Sequence, residues 1–124
     1  MKFLLDTSFL MIPGKHGVDI FEGLREFGQP ELYTLSRVID ELEKHVAEGS
    51  GKEKKTAKLA LAFIERFNIK IIVTNKKEKN TDDSLFKRGN KFIVCTQDRE
   101  LAERVREYGG KVVFLRQKKY LAMD

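Results

Sequence analysis

A single cysteine, Cys95, leaves this chain no partner for an internal disulfide, so no covalent framework braces it. Its two histidines, His16 and His45, stand far apart, and the Cys/His spacing of a zinc site is absent. The lone cysteine fits a reducing compartment. Long hydrophobic runs are missing too. Residues 3–12 are largely apolar, but the stretch is short, is broken by Asp6 and lacks a small-residue cleavage site. Neither a signal peptide nor a membrane span fits, and the chain reads as cytoplasmic. No repeat, low-complexity block or interdomain linker divides the 124 residues, whose 41% apolar content suffices for one domain with a core and not for two.

What the chain has in quantity is charge. Charged residues make up 35% of it, with 24 basic against 19 acidic, a formal net charge of +5. Such a surface attracts polyanions, nucleic acid first among them, and it equally serves solubility, so the balance supports a functional reading without carrying one. The abundance of Lys, Glu and Arg also matches thermophile proteins that use surface ion-pair networks.

Hydrophobic periodicity divides the chain into alternating elements. Residues 2–6 read as a short buried strand running into a loop marked by Pro13-Gly14 and Gly17. Ile20, Phe21, Leu24 and Phe27 recur at helical spacing and Gly28 closes that helix. A strand at 32–34 precedes a helix that Ser36 would cap, with Leu35, Val38, Ile39, Leu42 and Val46 on one face. After Gly49-Ser50-Gly51 a helix is predicted over 54–67, then a β-branched strand at 69–73 and a basic loop at 75–80. A short helix over 82–88, a strand at 92–96, a helix over 98–108, a strand at 112–115 and a basic tail at 116–124 complete the chain. This alternation predicts an α/β fold, a three-layer α/β/α sandwich around a central parallel sheet of four to five strands with right-handed crossovers.

Carboxylates mark the ends of the apolar runs. Asp6 follows Phe3-Leu4-Leu5, Asp98 follows the strand at 92–96, Glu41 lies in the helix after Leu32-Tyr33-Thr34, and Asp82 and Asp83 are adjacent. Burying an anion costs several kcal/mol unless a cation or a set of donors compensates it. In a parallel sheet ligands bind beyond the carboxyl ends of the strands, where strand order reverses. If the first and fourth strands are neighbours, Asp6 and Asp98 converge there. Several carboxylates without cysteine or histidine form a hard-oxygen site suited to magnesium or manganese rather than zinc or copper. The chemistry of such a site is metal-assisted phosphodiester hydrolysis, leaving a 5′-phosphate and a 3′-hydroxyl.

Local roles compete at each position. Asp6 and Asp98 can cap the helices that follow them, and Asp82-Asp83 after Thr81 can open a helix whose dipole favours both anions. Glu41 lies off the apolar stripe beside Val38 and His45, where Asp40 and Glu43 are equally solvated. The joint occurrence of the four sites favours the metal reading. Other motifs fail. Gly49-Ser50-Gly51-Lys52 lacks the first glycine of a phosphate loop and has Glu53 where Ser or Thr is needed, so no nucleotide cofactor is expected. Asp6-Thr7-Ser8 lacks the second aspartate of phosphatases that form an aspartyl-phosphate. His45 reads as a surface helix residue and Cys95 as a small core residue.

Leu4-Leu5-Asp6-Thr7-Ser8, Val38-Ile39-Asp40-Glu41-Leu42, Thr81-Asp82-Asp83-Ser84-Leu85 and Thr96-Gln97-Asp98-Arg99-Glu100-Leu101 resemble, in order and spacing, the motifs of the PIN-domain nucleases. The resemblance spans essentially the whole chain. It is greatest to the archaeal and eukaryotic branch linked to small-subunit ribosomal RNA processing, through residues 96–101, 112–115 and Arg116-Gln117-Lys118-Lys119-Tyr120-Leu121. Toxins of toxin-antitoxin pairs share the four acidic sites but more often carry Asp-Ala in the third motif.

The resemblance implies a single PIN-like nuclease domain over 1–124, with metal held by Asp6, Glu41, Asp83 and Asp98 and with Ser8 and Thr96 as polar supports. Asp83 is preferred over Asp82 because a small and then an aliphatic residue follow it, which leaves Asp82 as cap or accessory ligand. The implied activity is a magnesium- or manganese-dependent endoribonuclease acting on ribosomal RNA precursors. The alternatives are a toxin ribonuclease or a non-catalytic RNA-binding module of ribosome assembly. Homodimers are common among proteins of this kind. For RNA contact the candidates are Lys76, Lys77, Lys87, Arg88 and Arg99, drawn from a larger basic set that includes Lys52, Lys54, Lys55, Lys58, Arg104, Lys118 and Lys119.

Overall fold

Phe3, Leu4 and Leu5 are all fully buried, the burial expected of a central parallel strand covered on both faces. In the computed structural model, which describes residues 1–75 and 77–124, they form β1 (Lys2–Leu5), with β2 (Glu31–Leu35) and β4 (Ile93–Cys95) paired parallel on either side. β3 (Lys70–Ile72) extends the sheet beyond β2, and β5 (Val112–Arg116) extends it beyond β4. The order is β3-β2-β1-β4-β5-β6. β1 and β4 are therefore the neighbours that convergence of Asp6 and Asp98 requires, and the gap between them is where strand order reverses.

The sixth strand departs from expectation. Instead of a basic tail, residues 116–124 turn back and form β6 (Tyr120–Met123), antiparallel to β5, so the sheet has six strands rather than four or five and one antiparallel edge. Gln117 and Lys118 make the turn with φ of 54° and 56°, both left-handed, the backbone twist a tight hairpin needs. The basic residues belong to the turn, while half-buried Leu121 and Met123 carry the packing.

Helices cover both faces. α1 (Thr7–Leu10), α2 (Ile12–His16), α4 (Ser36–Glu48) and α5 (Gly51–Arg66) pack together. α3 (Ile20–Arg25) joins them by stacking Phe21 on Phe67, ring centroids 4.0 Å apart. α6 (Thr81–Lys87) packs on α7 (Arg99–Glu107), and α7 on β5. The segment after Asp6, read as loop, is helical in α1 and α2, because Phe9, Leu10 and Ile12 are buried there and Gly17 ends α2 with φ of 66°. Ser36 does not cap α4. Leu35 holds the cap position, and the Ser36 hydroxyl instead accepts the Thr74 N–H at 3.0 Å, joining the ends of β2 and β3. Cys95 lies in the core as expected, and burial pushes its thiol pKa well up. No helix among the described residues is long and apolar enough to cross a membrane.

Candidate active site

Asp6 leaves β1 beside the end of β4, its N–H bonded to the Cys95 carbonyl at 3.0 Å. One carboxylate oxygen caps α1 by accepting the Thr7 N–H at 2.7 Å. The other accepts the Thr96 hydroxyl at 2.7 Å and the Ser8 hydroxyl at 3.2 Å. Those two hydroxyls accept in turn from the next loop, Thr96 from the Asp98 N–H at 3.1 Å and Ser8 from the Gln97 N–H at 3.0 Å. One small network thus fixes Asp6 against the loop that carries Asp98. Ser8 and Thr96 stand where supports to the carboxylate would have to stand.

Asp6 is only 6% exposed. Burial pushes its pKa from 3.8 up to about 6, with the Glu41 charge adding to the rise, while the Thr96, Thr7 and Ser8 hydrogen bonds oppose it. Glu41 reaches in from α4. Its Oε2 accepts a long hydrogen bond from the Thr7 hydroxyl at 3.5 Å, and its Oε1 is buried without a hydrogen-bond partner. Asp98 caps α7 through Oδ1, which accepts the N–H groups of Glu100 and Leu101 at 3.0 and 3.2 Å. Capping here engages Oδ1 of a residue that also lines the cleft.

The adjacent aspartates of α6 diverge. Asp82 lines the cleft with Asp6, Glu41 and Asp98, and its pKa is raised by partial burial and then by the charges of Asp98 and Glu41. Asp83 turns toward α7 and accepts from Arg104 at 3.2 Å. A seven-residue helix that presents Asp82 to one side sends the next residue about 100° round its axis. The cleft has a volume of about 730 Å³, and Lys15, His16, Lys52 and the hydrogen-bonded pair His45 and Glu53 line it as well. The Lys52 ammonium donates to the Lys15 carbonyl at 3.2 Å, tying α5 to α2.

Asp6, Glu41, Asp82 and Asp98 offer only hard oxygen donors, and Glu41 Oε1 lacks a partner that a cation or its water would supply. Among the described residues no three His, Cys, Asp or Glu groups are close enough to enclose an ion by themselves. The four carboxylates are donors of the class that a divalent cation accepts, and, against the expectation of a site without histidine, His16 and His45 line the same cleft.

The model of the PIN like domain family matches residues 3–118. This chain belongs to the PIN-like domain family. Two curated relatives agree: Ribonuclease VapC9 of Archaeoglobus fulgidus is 32% identical over 123 residues, covering 98% of this chain and 87% of its own. Ribonuclease VapC4 of Methanocaldococcus jannaschii is 32% identical over 126 residues, covering 96% and 93%. Among solved structures, the PIN domain endonuclease Utp24 superposes with a TM-score of 0.80 at 21% identity, over 99% of this chain and 90% of that one, a likeness of fold.

Within this PIN-like domain the basic candidates separate by environment. Arg99 is exposed beside Asp98, and Lys77 is exposed on the loop before α6. Arg88 is occupied, donating to Glu78 at 2.6 Å and to the Ser84 carbonyl at 2.8 Å, and holds the Glu78 carboxyl down to about 2. Lys87 pairs with the same Glu78 at 3.4 Å. Lys76 lies outside the described residues. Lys15 and His16, which line the cleft, had no local signal in the sequence: only the packing of α2 on α5 brings them there.

Proposed function

We propose that this chain is a metal-dependent endoribonuclease whose site is the cleft holding Asp6, Glu41, Asp82 and Asp98. The observation that carries the reading is one cleft at the strand-order reversal lined by Asp6, Glu41, Asp82 and Asp98, with a fifth carboxylate, Glu53, paired to His45; Asp6 and Asp82 are both raised in pKa and Glu41 Oε1 is left unpartnered. The two relatives described as ribonucleases, each 32% identical over nearly the full chain, support RNA as substrate. Bound magnesium or manganese would be held by these carboxylates and would supply charge neutralisation and a more acidic water. The chain's own residues set the frame for that chemistry. The hydroxyls of Ser8 and Thr96 fix the plane of the Asp6 carboxylate, the Thr7 hydroxyl steers Glu41, and the α7 cap fixes one oxygen of Asp98. Asp83 acts at one remove by holding Arg104 beside Asp82. Ribosomal RNA precursors are the proposed substrate class and the cytoplasm the proposed compartment, on the strength of the motif resemblance at 96–101 and 116–121 and of a single, buried cysteine.

The test is cleavage of RNA by purified protein in manganese, in magnesium and in chelator. Asp98→Asn is expected to lower the rate at least about a hundredfold, the scale of losing a charge-placing group in a reaction centre. Parental rates in Asp98→Asn or in chelator would refute the assignment. RNA binding that is salt-sensitive, indifferent to chelator and never followed by cleavage would mark a non-catalytic assembly module instead. A toxin ribonuclease is the second reading, because the likeness to the two VapC ribonucleases is one of sequence over nearly the whole chain and the likeness to Utp24 one of fold. It predicts arrested growth on expression, relieved by a co-expressed antitoxin.

A further inference from the structure

The carboxylate cleft does not end at Asp98. Asp98 also lines a second depression, about 530 Å³, between the start of α7 and the carboxyl end of β5. Its floor is built. The Gln97 side chain accepts the Leu115 N–H at 2.6 Å and so ties the loop after β4 to β5. Its walls carry Phe114, half-buried, and three arginines, Arg99, Arg106 and Arg116, together with the acidic Glu103 and Asp124, the second of which is paired with Arg106.

The arginines are not equivalent. Arg106 is engaged, bonded to Asp124 at 2.7 Å with its guanidinium carbon 5.6 Å from the centre of the Phe114 ring. Arg99 and Arg116 are exposed and make no ion pair among the described residues. Two cations without ion-pair partners thus line the same groove as an aromatic ring already faced by a third, and that groove shares Asp98 with the acidic cleft. Acidic side chains repel a polynucleotide backbone, so a substrate whose one phosphate enters the cleft needs cations beside it to hold the adjoining phosphates. The ring and guanidinium planes at Phe114 and Arg106 offer a stacking surface that an unpaired base can reach and a paired one cannot.

We infer that the groove bounded by Arg99, Phe114 and Arg116 binds the stretch of single-stranded RNA next to the phosphate that enters the carboxylate cleft, with Arg99 and Arg116 on phosphates and Phe114 against a base. The inference rests on the ribonuclease reading and adds to it the path of the strand beyond the cleft. Phosphate contacts by both arginines set the salt response of binding, since each neutralised phosphate of a single strand contributes about 0.7 to the slope of log affinity against log salt.

The experiment measures KM and kcat for a long single-stranded RNA in manganese, across a salt series, for the parent, the double variant Arg99→Ala/Arg116→Ala, its Arg→Lys counterpart, and Phe114→Leu. The double alanine variant is expected to raise KM about tenfold and to flatten the salt slope by about 1.4, with the loss falling on KM rather than kcat. The lysine pair restores the slope. Phe114→Leu raises KM for single-stranded RNA and leaves the slope as it was. Equal KM and slope in parent and double alanine variant, with the parent cleaving normally, would overturn the groove and spare the site. A parent that cleaves no RNA would remove both.

Discussion

Asp6 shows at the scale of one residue how a site of this kind works against its own stability. Its two oxygens accept three hydrogen bonds, yet burial still lifts the pKa from 3.8 to about 6. In the metal-free protein the folded state keeps a proton that the unfolded chain has already released. The strain is absent below the unfolded pKa of 3.8, grows as the pH rises, and is complete above about 6. A shift of this size corresponds to on the order of 3 kcal/mol. Asp6→Asn keeps the α1 cap, and its amide can donate to the Thr96 hydroxyl once that hydroxyl turns toward Ser8, 3.3 Å away. In chelator the Asn variant should therefore melt higher than the parent above about pH 6, with the gap closing toward pH 3.8. Identical melting curves across that range would show that Asp6 ionises in the fold without penalty.

Between elements, the cleft depends on how closely α2 approaches α5. A Cβ added at Gly14 would lie 2.7 Å from the Thr56 methyl and 2.9 Å from the Thr56 Cα, and the second of these is backbone that cannot swing aside. Alanine favours a helix over glycine, yet here the contact decides. Gly14→Ala should destabilise the protein by about 1–3 kcal/mol by urea unfolding, as overpacking does, and should weaken RNA cleavage by shifting the wall that carries Lys15 and His16. An unchanged unfolding midpoint would mean that α2 yields freely. At this scale the sequence was partly legible. α4 and α7 were visible because Val38 and Leu42, or Leu101 and Val105, recur at helical spacing. α1 and α2 were not, being too short to show a period and containing Pro13 and Gly14. Asp82 and Asp83 were recognised as a pair, but adjacent identical residues in a helix differ only in the direction they face, and the packing of α6 against α7 settles that.

For the whole molecule, the sheet organises a positively charged surface around a negatively charged centre. β6 completes it by pairing Val113 with Met123, Phe114 with Ala122 and Leu115 with Leu121. Leu121 also packs on Gly23, where a Cβ would lie 2.7 Å from its Cδ1, so the last strand fastens α3 to the sheet edge. Removing residues 120–124 should cost about 2 kcal/mol or more of unfolding free energy from lost apolar burial and should leave the β5 edge open to association. An unchanged urea midpoint would show that the strand adds nothing to the fold.

Composition, periodicity and the apolar runs that end in acid determined the class of fold and the strand ends that carry Asp6 and Asp98, because these follow from interactions among residues near in sequence. The neighbours of those carboxylates were decided only when the strands took the order β3-β2-β1-β4-β5-β6. That order set β1 beside β4, brought Glu41 and Asp82 to the same cleft while Asp83 faced Arg104, folded the basic end of the chain into a sheet edge, and placed Lys15 and His16 in the lining of the cleft. The physical reason is that strand pairing and helix packing join residues far apart along the chain, through contacts that no local pattern encodes.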